Sequence, residues 1–125
     1  MNEHLASAQC RYADDFVVVA LQGEFDIATM DVLSGALQTA CDGSSRHVTV
    51  DLGEVRFFGI AALDLVLDAH RRLAGGGCTL NVIRPNPSVD KLMSVLDLRF
   101  LADPVSVTLP DQHGHAAVDV ETAAE

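Results

Sequence analysis

Two aspartates lie close together in the chain, and their carboxylates could bind a metal ion or transfer a proton. Asp64 and Asp68 are four residues apart in a segment with helical periodicity. Asp68 is also spaced to pair with Arg71 and Arg72 on the same helix face. This pattern is typical of a solvated, ion-paired surface, so we do not interpret the pair as a catalytic dyad.

Three cysteines, Cys10, Cys41 and Cys78, form neither a metal-binding spacing nor a disulfide framework, which fits reduced thiols in a cytosol. Cys41 lies on an apolar helical stripe and Cys78 opens a predicted core strand, so both are expected to be inert. Cys10, on an outer strand, is the candidate for redox chemistry. The His113-Gly114-His115 string has no third ligand in register, and we predict no metal site.

The other motifs of enzymes and cofactor sites are missing from the sequence. It has no nucleophile–base–acid set and no glycine-rich phosphate loop. The three glycines at 75–77 precede a predicted strand and not a helix, so we interpret them as a turn. We therefore predict no enzymatic activity and no cofactor.

The charge balance excludes further classes of partner. Eight Lys and Arg residues against 18 Asp and Glu residues give a net charge of −10 and a pI near 4.6. Such a chain is unsuited to nucleic-acid phosphates and to anionic membrane surfaces. Its longest uncharged run, residues 73–83, has 11 residues, whereas a membrane span needs about 20 apolar ones. With no signal-peptide pattern at residues 1–10, we predict a cytoplasmic protein.

Alternating apolar segments predict the elements that position these residues. The β-branched and apolar runs predict strands at 8–12, 16–21, 47–52 and 78–83. Apolar stripes with helical period predict helices at 28–41 and 60–73, and His70 falls on the apolar side of the second. Asn86 followed by Pro87 predicts the N-cap and first residue of a third helix.

The order β-β-α-β-α-β-α predicts an α/β fold with a mixed, mostly parallel sheet. A short C-terminal edge strand interrupted by Pro104 is expected within 100–109. We predict a single domain over 1–109. Residues 110–125 have four acids and no Lys or Arg, and we expect them to form a disordered tail that is dispensable for folding.

Four strings in this order resemble the STAS domain family, which is named for sulphate transporters and anti-sigma factor antagonists. They are Gly23-Glu24-Phe25-Asp26, Val50-Asp51-Leu52-Gly53-Glu54-Val55-Arg56-Phe57, Ala74-Gly75-Gly76-Gly77, and the segment from Asn86-Pro87 to Leu96-Asp97-Leu98. The resemblance covers roughly residues 8–103. It implies the STAS fold and a function in protein–protein interaction.

The family's phosphorylation motif is degenerate in this chain. Antagonists of the family that this chain resembles have the string Asp-Ser-Ser/Thr-Gly-Leu, and the same positions here are Gly59-Ile60-Ala61-Ala62-Leu63. The phosphoacceptor position is therefore Ala61, and the sequence has no Ser, Thr or Tyr between Val50 and Cys78. Three interpretations stay open: constitutive binding at a decayed site, a permanently active antagonist, or control moved to a residue such as Cys10.

The resemblance implies a docking surface at the exposed start of the helix 60–73 together with the loop 23–30. It also places Asp26 at the end of a strand, where a partner-binding role and a role in capping the next helix are both open. The candidate partner-binding residues are Gly23, Asp26, Thr29, Phe58, Gly59, Ile60, Ala61 and Ala62.

The function implied is that of an anti-sigma factor antagonist. Such a protein binds an anti-sigma factor with a histidine-kinase-like ATPase fold and thereby releases a sigma factor. The alternatives are an accessory subunit of a membrane transporter and a module that senses a small ligand or nucleotide. Dimerisation is left open by the sequence.

Overall fold

The computed structural model describes residues 6–102, and all structural statements below concern this range. Its strands are β1 (Ala6–Ala13), β2 (Phe16–Phe25), β3 (His47–Phe58) and β4 (Thr79–Ile83). Its helices are α1 (Met30–Asp42), α2 (Ile60–Gly75) and α3 (Pro87–Val95). Short 3-10 helices lie at Ile27–Thr29 and Arg99–Ala102.

The four strands form one sheet in the order β1-β2-β3-β4. β1 pairs antiparallel with β2, whereas β2, β3 and β4 are parallel to one another. The parallel strands are connected through α1 and α2, which also contact each other. The predicted mixed, mostly parallel α/β fold is therefore confirmed.

The strand register explains the hydrophobic core. Val17 pairs with Val48, and Val48 with Leu80, so their side chains lie on one face of the sheet. That face is covered by the buried stripes of the helices, which include Leu33 and Leu63. The opposite face has polar cross-strand pairs, such as a 2.9 Å hydrogen bond from Thr49 Oγ1 to Asn81 Oδ1.

β3 is longer than the sequence predicts and its register is irregular. The predicted strand ends at residue 52, but the strand continues through Gly53 and Glu54 to Phe58. Relative to β2, β3 has an extra residue in two places: Ala20 pairs with Asp51 but Gln22 with Glu54, and the spacing shifts again after Gly23. Beyond residue 52 the buried positions of β3 are therefore three residues apart, at Leu52, Val55 and Phe58.

α3 begins where the sequence predicts. The side chain of Asn86 accepts a 2.9 Å hydrogen bond from the backbone N–H of Val89, and Pro87 is the first helical residue. The Asn86 amide also donates to the carbonyl oxygens of Val55 and Arg56, at 3.1 and 3.3 Å. Asn86 thus caps α3 and anchors it to the last part of β3.

At the C-terminal end of the described residues, the structure differs from the predicted edge strand. Residues 99–102 form a 3-10 helix and not the start of an edge strand, with Leu101 fully buried. Leu98 N–H donates to the carbonyl of Met93, which turns the chain back and favours this compact structure over an extended one. The ring of Phe100 packs at a tilt against that of the half-buried His70, with 5.4 Å between the ring centroids. The rest of the predicted edge strand, His113, His115 and the acidic tail lie outside the described residues.

Candidate functional site

The candidate site lies at the carboxyl edge of the parallel strands, where β2 and β3 end side by side. Phe25 pairs with Phe58, the last residues of the two strands. The backbone N–H of Gly59 donates to the carbonyl of Phe25 at 3.1 Å. The segment after β2 and the start of α2 are therefore held together at this edge, as the resemblance implies.

The segment after β2 is fixed by a capping box. The Asp26 carboxylate accepts from the N–H of Ala28 at 3.0 Å, and Thr29 Oγ1 accepts from the N–H of Asp26 at 3.1 Å. The Thr29 hydroxyl also donates to the carbonyl of Glu24 at 3.0 Å. The capping role expected for Asp26 is confirmed, and the helix that it caps is the 3-10 helix at Ile27–Thr29.

Gly23 lies inside β2 and not in the loop that follows it. It was expected to begin the loop 23–30, but β2 continues through it to Phe25. Its φ of 102° is in the left-handed region, which strongly favours glycine, and the register between β2 and β3 shifts next to it. Gly23 is half-buried inside the sheet, and its role here is conformational.

The start of α2 contains Ala61, the position that the sequence resemblance equates with the phosphoacceptor. Gly59 is the N-cap and Ala61 is the second helical residue, which is half-buried. Within the described part of the chain, no side chain caps this helix, and no acid lies in its first turn. The free N–H groups and the helix dipole are features that favour a negative group in other proteins, but Ala61 has no hydroxyl to accept one.

Two of the residues predicted to contact a partner are in the core, and their inclusion was wrong as far as their side chains are concerned. Phe58 is 2 % exposed, and its ring packs edge-on against Phe25 at 5.8 Å. Ala62 is fully buried, because α2 turns this position towards the sheet. Neither side chain reaches the surface of the edge.

Three other apolar side chains are exposed at this edge, and we call them the carboxyl-edge patch: Ile27 (81 % exposed), Phe57 (51 %) and Ile60 (61 %). Only Ile60 was predicted. Phe57 was missed because the irregular register of β3 decides which of two adjacent phenylalanines faces the core. The exposure of Ile27 could have been predicted from its position: it lies between the capping residues Asp26 and Thr29 and before the predicted helix 28–41, so it is not part of the apolar stripe of that helix.

The surroundings of the patch are acidic. Asp26 and Asp31 are exposed beside Ile27, and Asp64 lies one helical turn after Ile60 on the same face of α2. Arg56 is the positive group next to Phe57, and its Nη2 lies 3.7 Å from Oε2 of Glu24. The edge therefore combines apolar side chains with a surplus of negative charge.

A second polar feature lies at the end of β4. Arg84 makes a two-point contact with Asp51, at 3.1 Å from Nε and 2.8 Å from Nη2. The hydrogen bonds with Asp51, together with its charge, raise the pKa of the Arg84 guanidinium. The same carboxylate accepts from the N–H of Gly53 at 2.9 Å. The arrangement ties β3 to the segment after β4 and uses the hydrogen-bonding capacity of Asp51 for structure.

The other chemically interesting residues are placed as follows. Arg72 Nε lies 3.7 Å from the carboxylate of Asp68, the ion pair expected on α2.

Cys10 is half-buried on the helix-facing side of the sheet, and burial raises the pKa of its thiol, partly opposed by a hydrogen bond with Tyr12. A raised pKa lowers the fraction of thiolate, the form that oxidants attack. Redox chemistry at Cys10 therefore stays a sequence prediction without structural support.

Within residues 6–102, His, Cys, Asp and Glu side chains do not cluster in threes or more as a metal site would require. The helices of this range are also too short or too polar to cross a membrane.

The chain belongs to the STAS family. The family model described as "Mlab, STAS domain" matches residues 8–103, which confirms the resemblance seen in the sequence motifs. Among proteins of curated function, comparison of the sequence finds no match.

Similar solved structures include anti-sigma factor antagonists. One, from Mycobacterium paratuberculosis, has 21% identity and a TM-score of 0.71, covering 78% of this chain and 83% of its own. Unphosphorylated SpoIIAA has 19% identity and a TM-score of 0.70, covering 86% and 92%. Phosphorylated SpoIIAA from Bacillus has 18% identity and a TM-score of 0.65, covering 86% and 96%. At these identities the likeness establishes the fold.

Proposed function

We propose that this protein is an anti-sigma factor antagonist of the STAS family that binds its partner constitutively. The partner is an anti-sigma factor with a histidine-kinase-like ATPase fold, and its capture releases a sigma factor in the cytoplasm. The protein acts by binding and not by catalysis. The observation that carries the proposal is an exposed, rigidly held edge around the start of α2, at the position that the family uses, with Ala61 in place of the phosphoacceptor.

The absence of a hydroxyl at residue 61 is the basis for constitutive binding. In the family, phosphate at this position adds about −1.5 to −2 charges and opposes docking. Ala61 is uncharged and small, so the surface permanently resembles the unphosphorylated state. Of the three interpretations of the lost motif, control by Cys10 is the least favoured, because burial raises the pKa of its thiol and so lowers the fraction of reactive thiolate.

The docking surface that we propose differs in part from the sequence-based set. Asp26, Thr29, Gly59 and Ala61 supply the backbone and small side chains that shape the edge, while Ile27, Phe57 and Ile60 supply its exposed apolar area. Aromatic and aliphatic side chains of this kind form the centres of protein interfaces.

The test is to mix the protein with a candidate anti-sigma ATPase and ATP, and to measure complex formation by size exclusion and intact mass. We expect a stable complex and an unchanged mass for this chain. A phosphate between residues 50 and 78 would contradict the assignment of Ala61. Failure of every candidate ATPase from the native cytosol to bind would contradict the antagonist function.

A second candidate is an accessory subunit of a membrane transporter. The observation in its favour is that the matching family model has the name Mlab and not that of an antagonist. The same binding experiment with an ATPase subunit of a transporter distinguishes the two. Binding to that subunit, with no effect on transcription, would favour the transporter.

A further inference from the structure

Gly59, the N-cap of α2, is a glycine for which the backbone gives no reason. Its φ of −82° and ψ of −179° are extended values that any residue adopts. Asp or Ser at this position would cap the free N–H groups of α2, which have no side-chain partner among residues 6–102. Glycine is an acceptable N-cap, but helix stability alone slightly favours Asp or Ser.

The reason for the glycine is the ring of Phe57. A Cβ at residue 59 would lie 3.2 Å from Cε2 of this ring, closer than ordinary van der Waals contact, and 3.4 Å from Cζ, at the lower limit of such contact. Glycine thus allows the ring to lie across the start of α2. Any residue with a Cβ there, such as the aspartate of the sequences with the phosphorylation motif, would force the ring to shift by a few tenths of an ångström.

Phe57 and its neighbours thereby form an apolar centre within an acidic rim. Ile60 follows Gly59 directly, and Ile27 lies two residues beyond Phe25, which pairs with Phe58. Around them are the exposed carboxylates of Asp26, Asp31 and Asp64, together with the Glu24–Arg56 ion pair.

We infer that the carboxyl-edge patch binds a protein surface with an apolar protrusion flanked by Lys or Arg, and that Gly59 makes this possible by seating the Phe57 ring. The inference rests on the proposed function and adds the chemistry of the partner. Charge complementarity excludes a second copy as the favoured occupant, because the chain has a net charge of −10 and its edge is acidic. The basic groups of the partner accelerate encounter, and the apolar contact supplies most of the affinity.

The first experiment uses three synthetic peptides as probes of the isotopically labelled full chain, followed by NMR. One is an amphipathic helix of Leu and Lys, the second has Glu in place of Lys, and the third has Ser in place of Leu. We expect only the Leu/Lys peptide to bind, with shift changes centred on residues 24–31 and 56–64. Equal binding of either control peptide, or shifts centred elsewhere, would overturn the inference.

The second experiment compares variants with the Leu/Lys peptide. Phe57→Ala should weaken binding about tenfold, which corresponds to about 1.4 kcal/mol. Phe100→Ala is the matched control, since Phe100 is 50 % exposed but lies in the 3-10 helix at Arg99–Ala102, and it should bind as the wild type does.

Gly59→Ser tests the position of the ring, because it adds a Cβ without adding a charge. It should also weaken binding about tenfold, although a serine N-cap leaves the melting temperature unchanged or higher, so that misfolding is not the cause. Wild-type affinity in Gly59→Ser would show that binding does not depend on the close approach of the ring to residue 59 and would refute that part.

The outcomes separate this inference from the proposed function. If Phe57→Ala binds an anti-sigma ATPase normally while a charge at residue 61 abolishes binding, the proposed function stands and the apolar centre is refuted. If both changes leave that binding intact, the docking site lies elsewhere and both proposals fail.

Discussion

Replacing Asn86 tests how α3 is attached to the strand that carries the candidate site. In Asn86→Ala, the N-cap bond to Val89 is lost, at a cost of about 1 kcal/mol. The two amide bonds to β3 are lost as well, and the carbonyl of Val55 is partly buried, which adds about 1 kcal/mol. The free energy of unfolding should therefore fall by about 2 kcal/mol, or roughly 10 °C in melting temperature for a domain of this size.

Asn86→Ser separates the two contributions. Serine caps a helix about as well as asparagine but is too short to reach the carbonyl oxygens of Val55 and Arg56. It should lose about half as much stability as Asn86→Ala, measured by urea denaturation followed by far-UV circular dichroism. An alanine variant as stable as the wild type would refute the reasoning, and a serine variant as damaged as the alanine one would refute the division between cap and anchor.

Three further changes give measurable results. Phe58→Ala should lower the free energy of unfolding by about 3–5 kcal/mol, because the ring is buried. Phe57→Ala should lower it by about 1 kcal/mol or less, because that ring is half exposed. Equal losses in urea denaturation would contradict this difference in burial. Arg84→Gln should cost about 1 kcal/mol, less at high salt, since it removes the two-point contact with Asp51, and a loss independent of salt would argue against an ionic role. Because the pKa of Cys10 is raised, its thiol stays protonated near neutral pH. Iodoacetamide should alkylate it more slowly than in the urea-unfolded chain, with the rate rising at higher pH; equal rates by peptide mapping would contradict this.

Local patterns were sufficient to predict the main elements of the fold. Runs of β-branched residues located the core strands, because strands buried on one or both faces need such side chains along their length. The Asn86-Pro87 pair located the start of α3, because capping depends on the residues next to one another in the chain. Predictions of this kind depend on short-range physics, and the structure confirms them.

The arrangement at the carboxyl edge depends on pairing between strands, which the sequence does not display. β3 has extra residues relative to β2, and these shifts of register extend the strand through Gly53 and bury Phe58 while exposing Phe57. Ile60 fits the apolar stripe of α2 by its spacing, yet as the first residue of the helix it lies at the end of the sheet and is exposed. The position of the site was therefore predicted, but part of its exposed surface was not.

The most direct test of the central claim, that the start of α2 is the docking site, is the affinity of Ala61→Glu for the anti-sigma ATPase, measured by isothermal titration calorimetry. A carboxylate near a helix N-terminus favours the fold by about 0.3–1 kcal/mol, so the melting temperature should hardly change. At the centre of the interface the added carboxylate must lose its water, and this cost exceeds any attraction to basic groups at the rim. We therefore predict binding at least about tenfold weaker, with Arg71→Glu on the exposed side of α2 as a control that binds normally. Wild-type affinity in Ala61→Glu would contradict the account.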